Sequence, residues 1–104
     1  MATSNKVFIP ALWVPQKITV SASSQSVALV GLTKSEDAIQ VTNNTTETVH
    51  ISFSVGAGTA AIATSVAIPL GAVIAFGLTP DMTHANAIGT GATGVIEFLV
   101  GKGA

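Results

Sequence analysis

The stretch Glu47-Thr48-Val49-His50-Ile51-Ser52-Phe53-Ser54-Val55 decides the fold class of this chain. Every second residue from Val49 to Val55 is apolar, and the residues between them are serine or histidine. Because successive side chains of a β-strand point to opposite faces, this alternation predicts a strand with one buried face and one face in water.

Shorter stretches of the same kind lie on either side, and glycine, proline and asparagine separate them. The chain is therefore predicted to be all-β, with about seven or eight short strands, in a small antiparallel β-sandwich or a jelly-roll-like barrel. The strands that flank residues 43–46 are expected to form a hairpin, and the glycine-rich residues 89–94 are expected to form a hairpin turn. We expect residues 56–64, rich in alanine and glycine, to be a loop.

The composition argues against an enzyme. Hydrophobic residues make up 48% of the chain and charged residues 9%, with no cysteine. Without cysteine the chain has no disulfide framework and no thiolate metal site. Its two histidines and five acidic residues are scattered along the sequence, and no Gly-x-Ser-x-Gly motif occurs. We therefore expect no catalytic residue, no metal and no cofactor.

The balance of charge argues against nucleic acid as a partner. The net charge is −1, from four lysines against five acidic residues, and no basic stripe is present. Nucleic-acid binding depends on lysine and arginine side chains that neutralise phosphates. A weakly charged, apolar chain is instead expected to bury much of its outer surface against copies of itself or against other proteins.

The first 16 residues are predicted to be an extended apolar arm, followed by a single domain over residues 17–104. Pro10 and Pro15 interrupt both helix and strand within the arm. Two alternatives stay open: the arm folds back over its own domain as a lid, or it lies on a neighbouring subunit. Five apolar residues of the arm are candidate interface residues: Phe8, Ile9, Leu12, Trp13 and Val14.

An uncharged run from Thr48 to Pro80 raises the alternative of a membrane segment. The run is long enough to cross a bilayer, as a helix of a phage holin does. Several glycines and Pro69 interrupt it, no lysine cluster flanks it, and its first part alternates like a strand. A membrane partner is therefore not expected.

Four motifs occur in order along the chain. They are an early strand, a turn into a strand, an element with histidine, and a glycine turn before the last strand: Ser24-Gln25-Ser26-Val27-Ala28-Leu29, Pro69-Leu70-Gly71-Ala72-Val73, Thr83-His84-Ala85-Asn86-Ala87-Ile88, and Gly89-Thr90-Gly91 before Val95–Val100. In this order they resemble the motifs of small β-rich virion proteins of tailed bacteriophages. The resemblance covers residues 17–101 and implies a virion component, with capsid decoration or cement proteins as the nearest analogues.

The resemblance implies a capsid decoration or cement protein, and the apolar, weakly charged composition agrees with that role. Such a protein would be assembled into the virion in the host cytoplasm, as a homo-oligomer bound to the major capsid protein or another virion protein. Two alternatives remain: a binding module associated with the tail or a fibre, and a small membrane protein such as a holin.

Overall fold

The computed structural model describes residues 8–11, 14–34, 37–62 and 64–102, and within these ranges it consists of strands and their connections. The strands are β1 (Ile9–Pro10), β2 (Gln16–Thr19), β3 (Gln25–Ala28), β4 (Ala38–Thr45), β5 (Val49–Ser54), β6 (Val66–Ile68), β7 (Val73–Gly77), β8 (His84–Ile88) and β9 (Gly94–Lys102). The predicted all-β fold is confirmed, as two antiparallel sheets.

The first sheet has β9 and β4 at its centre. These are the two longest strands, and they pair from Ala38 opposite Gly101 to Thr45 opposite Gly94. β7 pairs with the other side of β4, and β1 and β2 both pair with the other side of β9, one after the other along its length. β7 is therefore the edge strand on one side, and the short strands β1 and β2 form the opposite edge.

The second sheet has the strand order β3-β8-β5-β6, with all pairs antiparallel. Every connection from β2 to β9 crosses between the two sheets except the one from β5 to β6, which are neighbours. The β5–β6 connection is also long, since it contains residues 55–65.

The core lies between the inner faces of the two sheets. Phe98 in β9 is fully buried, and its ring meets Phe53 of β5 edge-on, with 6.2 Å between ring centres. Phe53 also contacts Phe76 of β7 across the sandwich, at 6.0 Å. The remaining core is aliphatic: Ile18, Val20, Leu29, Ile39, Val41, Val49, Ile51, Ile68, Ala85, Ala87, Ala92, Ile96 and Val100.

The expected hairpin around residues 43–46 is wrong. β4 runs on through Asn43 to Thr45 in the first sheet, and β5 begins at Val49 in the second sheet. The physical reason is that the Asn43 side chain is fully buried and hydrogen-bonded inside the molecule. It therefore does not provide the exposed turn that two consecutive asparagines usually indicate.

The expected hairpin turn at residues 89–94 is also wrong, because β8 and β9 belong to different sheets. Residues 89–94 instead connect the two sheets at one end of the sandwich. Gly89 N–H donates to the Ser21 carbonyl at 3.0 Å, and Ala92 is buried against the core. Sheets pack about 10 Å apart, so a connection between them needs more than a two-residue turn.

The uncharged run from Thr48 to Pro80 forms β5, β6, β7 and their connections. No helix long and apolar enough to cross a membrane occurs in the described ranges. The expected loop at 56–64 is present, and a short strand, Val66–Ile68, follows it.

Candidate interaction surface

Three of the five predicted interface residues lie in the described part of the chain. The side chains of Ile9 and Val14 are 62% and 68% exposed, and Phe8 is half-buried. Leu12 and Trp13 lie outside the described residues. Exposed Ile9 and Val14 are thus available to a partner on the side of the first sheet that β1 and β2 form.

The backbone of β1 lies against its own domain. Ile9 is paired with Lys102 and Pro10 with Gly101, and Ala11 N–H donates to the Val100 carbonyl at 2.8 Å. The approach is close at Gly101, where an added Cβ would overlap the Ile9 carbonyl oxygen and lie 2.9 Å from the Ile9 carbonyl carbon. Backbone atoms cannot move aside as a side chain can, so only glycine lets β1 lie this close to β9.

Exposed apolar side chains are concentrated in the uncharged part of the chain. Eight large hydrophobic residues are exposed among those the structure describes, and five of them belong to residues 55–73. These five are Val55, Ile62, Val66, Leu70 and Val73. Exposed apolar side chains are typical of protein contact sites where they form a contiguous patch.

An apolar cavity of about 280 Å³ opens beside the β7 edge of the first sheet. Ile51, Phe53 and Phe76 form its inner wall, and Val66 and Gly77 lie at its margin. The cavity therefore lies where β6 of one sheet and β7 of the other border the same side of the sandwich. It contains no charged lining residue.

Residues 56–60, in the connection from β5 to β6, lie on the outer face of the second sheet. The anchor of this loop is Asn86 of β8, a fully buried polar residue on that outer face. The Asn86 amide donates to Ser52 Oγ at 3.1 Å and Ser54 Oγ at 3.0 Å, and its carbonyl accepts from Gly58 N–H at 3.1 Å. Further along the loop, Ala60 is buried, and its N–H donates to the Oγ of Ser24, the residue before β3, at 2.8 Å.

The small residues of this loop have a steric role. A Cβ at Gly58 would lie 2.6 Å from Ser54 Oγ, so a larger residue would push the loop away from the sheet. Gly58 therefore packs closely on β5 and β8, and the buried Ala60 lies two residues further along the loop. These residues cover the middle of the outer face.

Neither histidine forms part of a metal site in the described structure. His84 begins β8, and its Nδ1 lies 2.8 Å from Thr83 Oγ1 rather than from a backbone carbonyl. His50 Nδ1 is buried with no hydrogen-bond partner among the described residues. No group of three histidine or acidic side chains converges within the described ranges.

The one ion pair between described residues joins Asp37 and Lys102 near the end of β9, at 3.4 Å. Asp37 is buried, and it accepts hydrogen bonds from the Thr33 N–H and hydroxyl and from the Lys34 N–H at 2.8–3.1 Å. Burial alone would raise the pKa of Asp37, but these bonds, with Lys102, lower it below its usual value of 3.8. The carboxylate holds the β3–β4 loop, so its role is structural.

Comparison of the chain with protein-family models, with curated proteins and with solved structures finds no match in any of the three. The candidate interaction surface is therefore assigned from the geometry of this chain alone.

Sequence reasoning missed the apolar side of the sandwich between β6 and β7. The uncharged run from Thr48 to Pro80 contains this side, but as a sequence it indicates strands, a loop or a membrane segment and not which residues share a surface. The pairing that makes β7 an edge strand joins residues far apart in sequence, so local patterns do not reveal it.

Proposed function

We propose that this chain is a structural protein of a tailed-phage virion, a capsid decoration or cement protein that binds the head through apolar contacts. The observation that carries the proposal is the exposure of large apolar side chains on a sandwich with few charges. A surface of this kind favours association with other proteins over catalysis or nucleic-acid binding.

The strand order supports the proposal at the level of the fold. An eight-stranded jelly roll has the strand orders found here, β2-β9-β4-β7 in one sheet and β3-β8-β5-β6 in the other. The additional strand β1 pairs with β9 on the same side as β2. We take the fold to be a jelly roll on this basis. Jelly rolls occur in viral capsid proteins, but also in lectins and cupins, so the fold supports a virion role without deciding it.

The surface on the β1 side supports a binding role for the arm. Ile9 is held on β9 by its backbone while its side chain stays 62% exposed. A rigid backbone with an exposed apolar side chain binds at a lower entropic cost than a free chain end does. We propose that Ile9 and Val14 contact the major capsid protein or another virion protein, and that Leu12 and Trp13 belong to the same contact.

The test uses heads of the encoding phage that were assembled without this protein. The full-length chain is mixed with these heads, and the bound fraction is measured by co-sedimentation. The double variant Ile9→Ser, Val14→Ser is compared with Val30→Ser, which changes an exposed apolar residue, 50%, outside both the arm and residues 55–73. We expect the double variant to bind at least about tenfold more weakly, with Val30→Ser unchanged.

Two results would contradict the proposal. If the unmodified chain stays in the supernatant, the head-binding role is wrong. If the double variant binds as tightly as the unmodified chain, the head-binding role stands but the contact lies elsewhere on the molecule.

A further inference from the structure

β7 has one edge that pairs with β4 and one edge with no partner among the described residues. The bonds at its ends show which backbone groups face outward. Asn43 N–H donates to the Ala72 carbonyl at 3.0 Å, and Leu78 N–H donates to the Asp37 carbonyl at 2.8 Å. In an antiparallel ladder, alternate residues bond to the same neighbour. The N–H and C=O groups of Val73, Ala75 and Gly77 therefore point away from β4.

This edge lacks the features that usually prevent strand pairing between molecules. Proteins protect free edges with charged side chains, proline or bulges. β7 reads Val-Ile-Ala-Phe-Gly, and it pairs in continuous register with β4 from Thr42 to Ala38. The exposed residues Val66 and Leu70, which precede β7 in the sequence, are apolar as well, so they add no charge near this edge. The edge is an open template for another strand.

We propose that β7 pairs antiparallel with β7 of a second copy of this chain, about a two-fold axis at Ala75. This arrangement places Val73 of each copy opposite Gly77 of the other and Ala75 opposite Ala75. Outward-facing groups at these three positions then form about six backbone hydrogen bonds between the copies. Such a contact is isologous, so it closes as a dimer.

The side chains of β7 suit a second copy in two respects. A Cβ built at Gly77 meets no atom within 4 Å, so there is room beside Gly77 for the larger Val73 of the other copy. Because the strand carries no charge, two identical strands do not repel each other. The same pairing covers the mouth of the 280 Å³ cavity beside Phe76, where apolar lining is otherwise exposed.

This inference deepens the proposed function, since it rests on the homo-oligomer expected from the sequence for such a protein and names the surface that forms it. The test does not use virus particles, so its outcome is separate from that of head binding.

The test uses single-cysteine variants of the full-length chain, which has no cysteine of its own. Hydrogen-bonded residues in an antiparallel pair have Cα atoms about 5.5 Å apart, a distance that a disulfide spans. Ala75→Cys is therefore expected to form a covalent dimer under mild oxidation. The matched control is Gln40→Cys on β4, directly opposite Ala75 in the register but one strand away from the edge. We expect little covalent dimer from it.

Association without a cross-link is measured by analytical ultracentrifugation. The unmodified chain is expected to sediment as a dimer, and Ala75→Lys and Ala75→Pro are each expected to raise its dissociation constant at least about tenfold. Proline at this position removes only an outward-facing N–H, so the ladder with β4 is kept. Gln40→Lys is expected to associate as the unmodified chain does.

A monomer at every concentration of the unmodified chain would overturn the proposal. Equal cross-linking of the Ala75→Cys and Gln40→Cys variants would overturn it too. An oligomer that neither Ala75 variant weakens would also contradict it, because the contact would then lie on another surface. Far-UV circular dichroism establishes that each variant compared is folded.

Discussion

Asn43 of the first sheet donates a hydrogen bond from its side-chain amide to the Ile68 backbone carbonyl of the second sheet, at 2.8 Å. The same amide donates to the Glu47 carbonyl at 3.1 Å, and its oxygen accepts from Thr45 N–H at 2.9 Å. A fully buried polar side chain thus satisfies three backbone groups at the point where the chain leaves β4 for the other sheet. Asn43 ties together the connection from β4 to β5 and the end of β6.

Replacing Asn43 with alanine is expected to destabilise the fold strongly. The substitution leaves buried carbonyl and N–H groups without partners, which costs about 2–4 kcal/mol in the free energy of unfolding. The control is Asn44→Ala, because Asn44 is exposed and its side-chain amide donates only to Glu97, at 2.9 Å, in the described structure. Its effect is expected to stay below about 1 kcal/mol. Urea unfolding measures both, and equal effects would show that the buried amide is not a structural link.

Replacing Gly58 with alanine is expected to detach the 55–65 loop from the second sheet. The added Cβ would lie 2.6 Å from Ser54 Oγ, within the group of hydrogen bonds around Asn86. We expect a loss of about 1–3 kcal/mol and faster proteolysis inside the loop. Ala57→Ser adds one atom at the exposed neighbouring position and serves as control. Cleavage of the Gly58→Ala variant at the unmodified rate would show that the loop does not depend on this contact.

The stability of the domain is expected to fall in acid partly because of Asp37. Its pKa is lowered on folding, below the usual 3.8, because hydrogen bonds to the charged form outweigh the effect of burial. The stabilisation is therefore complete above the unfolded-state pKa and is lost as the pH falls through the lower folded-state pKa. Asp37→Asn should reduce stability at pH 7 by about 2 kcal/mol and lose less on acidification.

The measurement compares urea unfolding of the unmodified chain, Asp37→Asn and the exposed-site control Asp81→Asn between neutral pH and pH 3. The difference between the unmodified chain and Asp37→Asn is expected to shrink as the pH falls. A difference that stays constant with pH would mean that the Asp37 charge does not contribute to folding.

Local alternation predicted much of the sheet structure. The strand at Val49–Ser54 is where the pattern placed it, since Val49 and Ile51 are buried while His50 lies on the other face. The two hairpins were wrong because local sequence does not show which sheet a strand joins. Two asparagines in a row usually indicate a turn, but Asn43 is buried in β4, where its side chain bonds to the Ile68 carbonyl, which is distant in sequence.

The candidate interaction surface was predictable only in part. The apolar arm and its contact residues stay predictions from composition, and the structure adds that Ile9 and Val14 are exposed. The β7 edge was not evident, because an edge strand is defined by the neighbour it lacks. Val73 to Gly77 have the same apolar character as a central strand, and only the pairing with β4 on one side distinguishes them.

The central claim is that this chain is a component of a virion head. The most direct measurement is quantitative mass spectrometry of purified particles of the encoding phage, with immunogold labelling to locate the protein. We expect many copies per particle, in a fixed ratio to the major capsid protein, with label on the head. Particles that lack the chain, or carry it only on the tail or a fibre, would contradict the account.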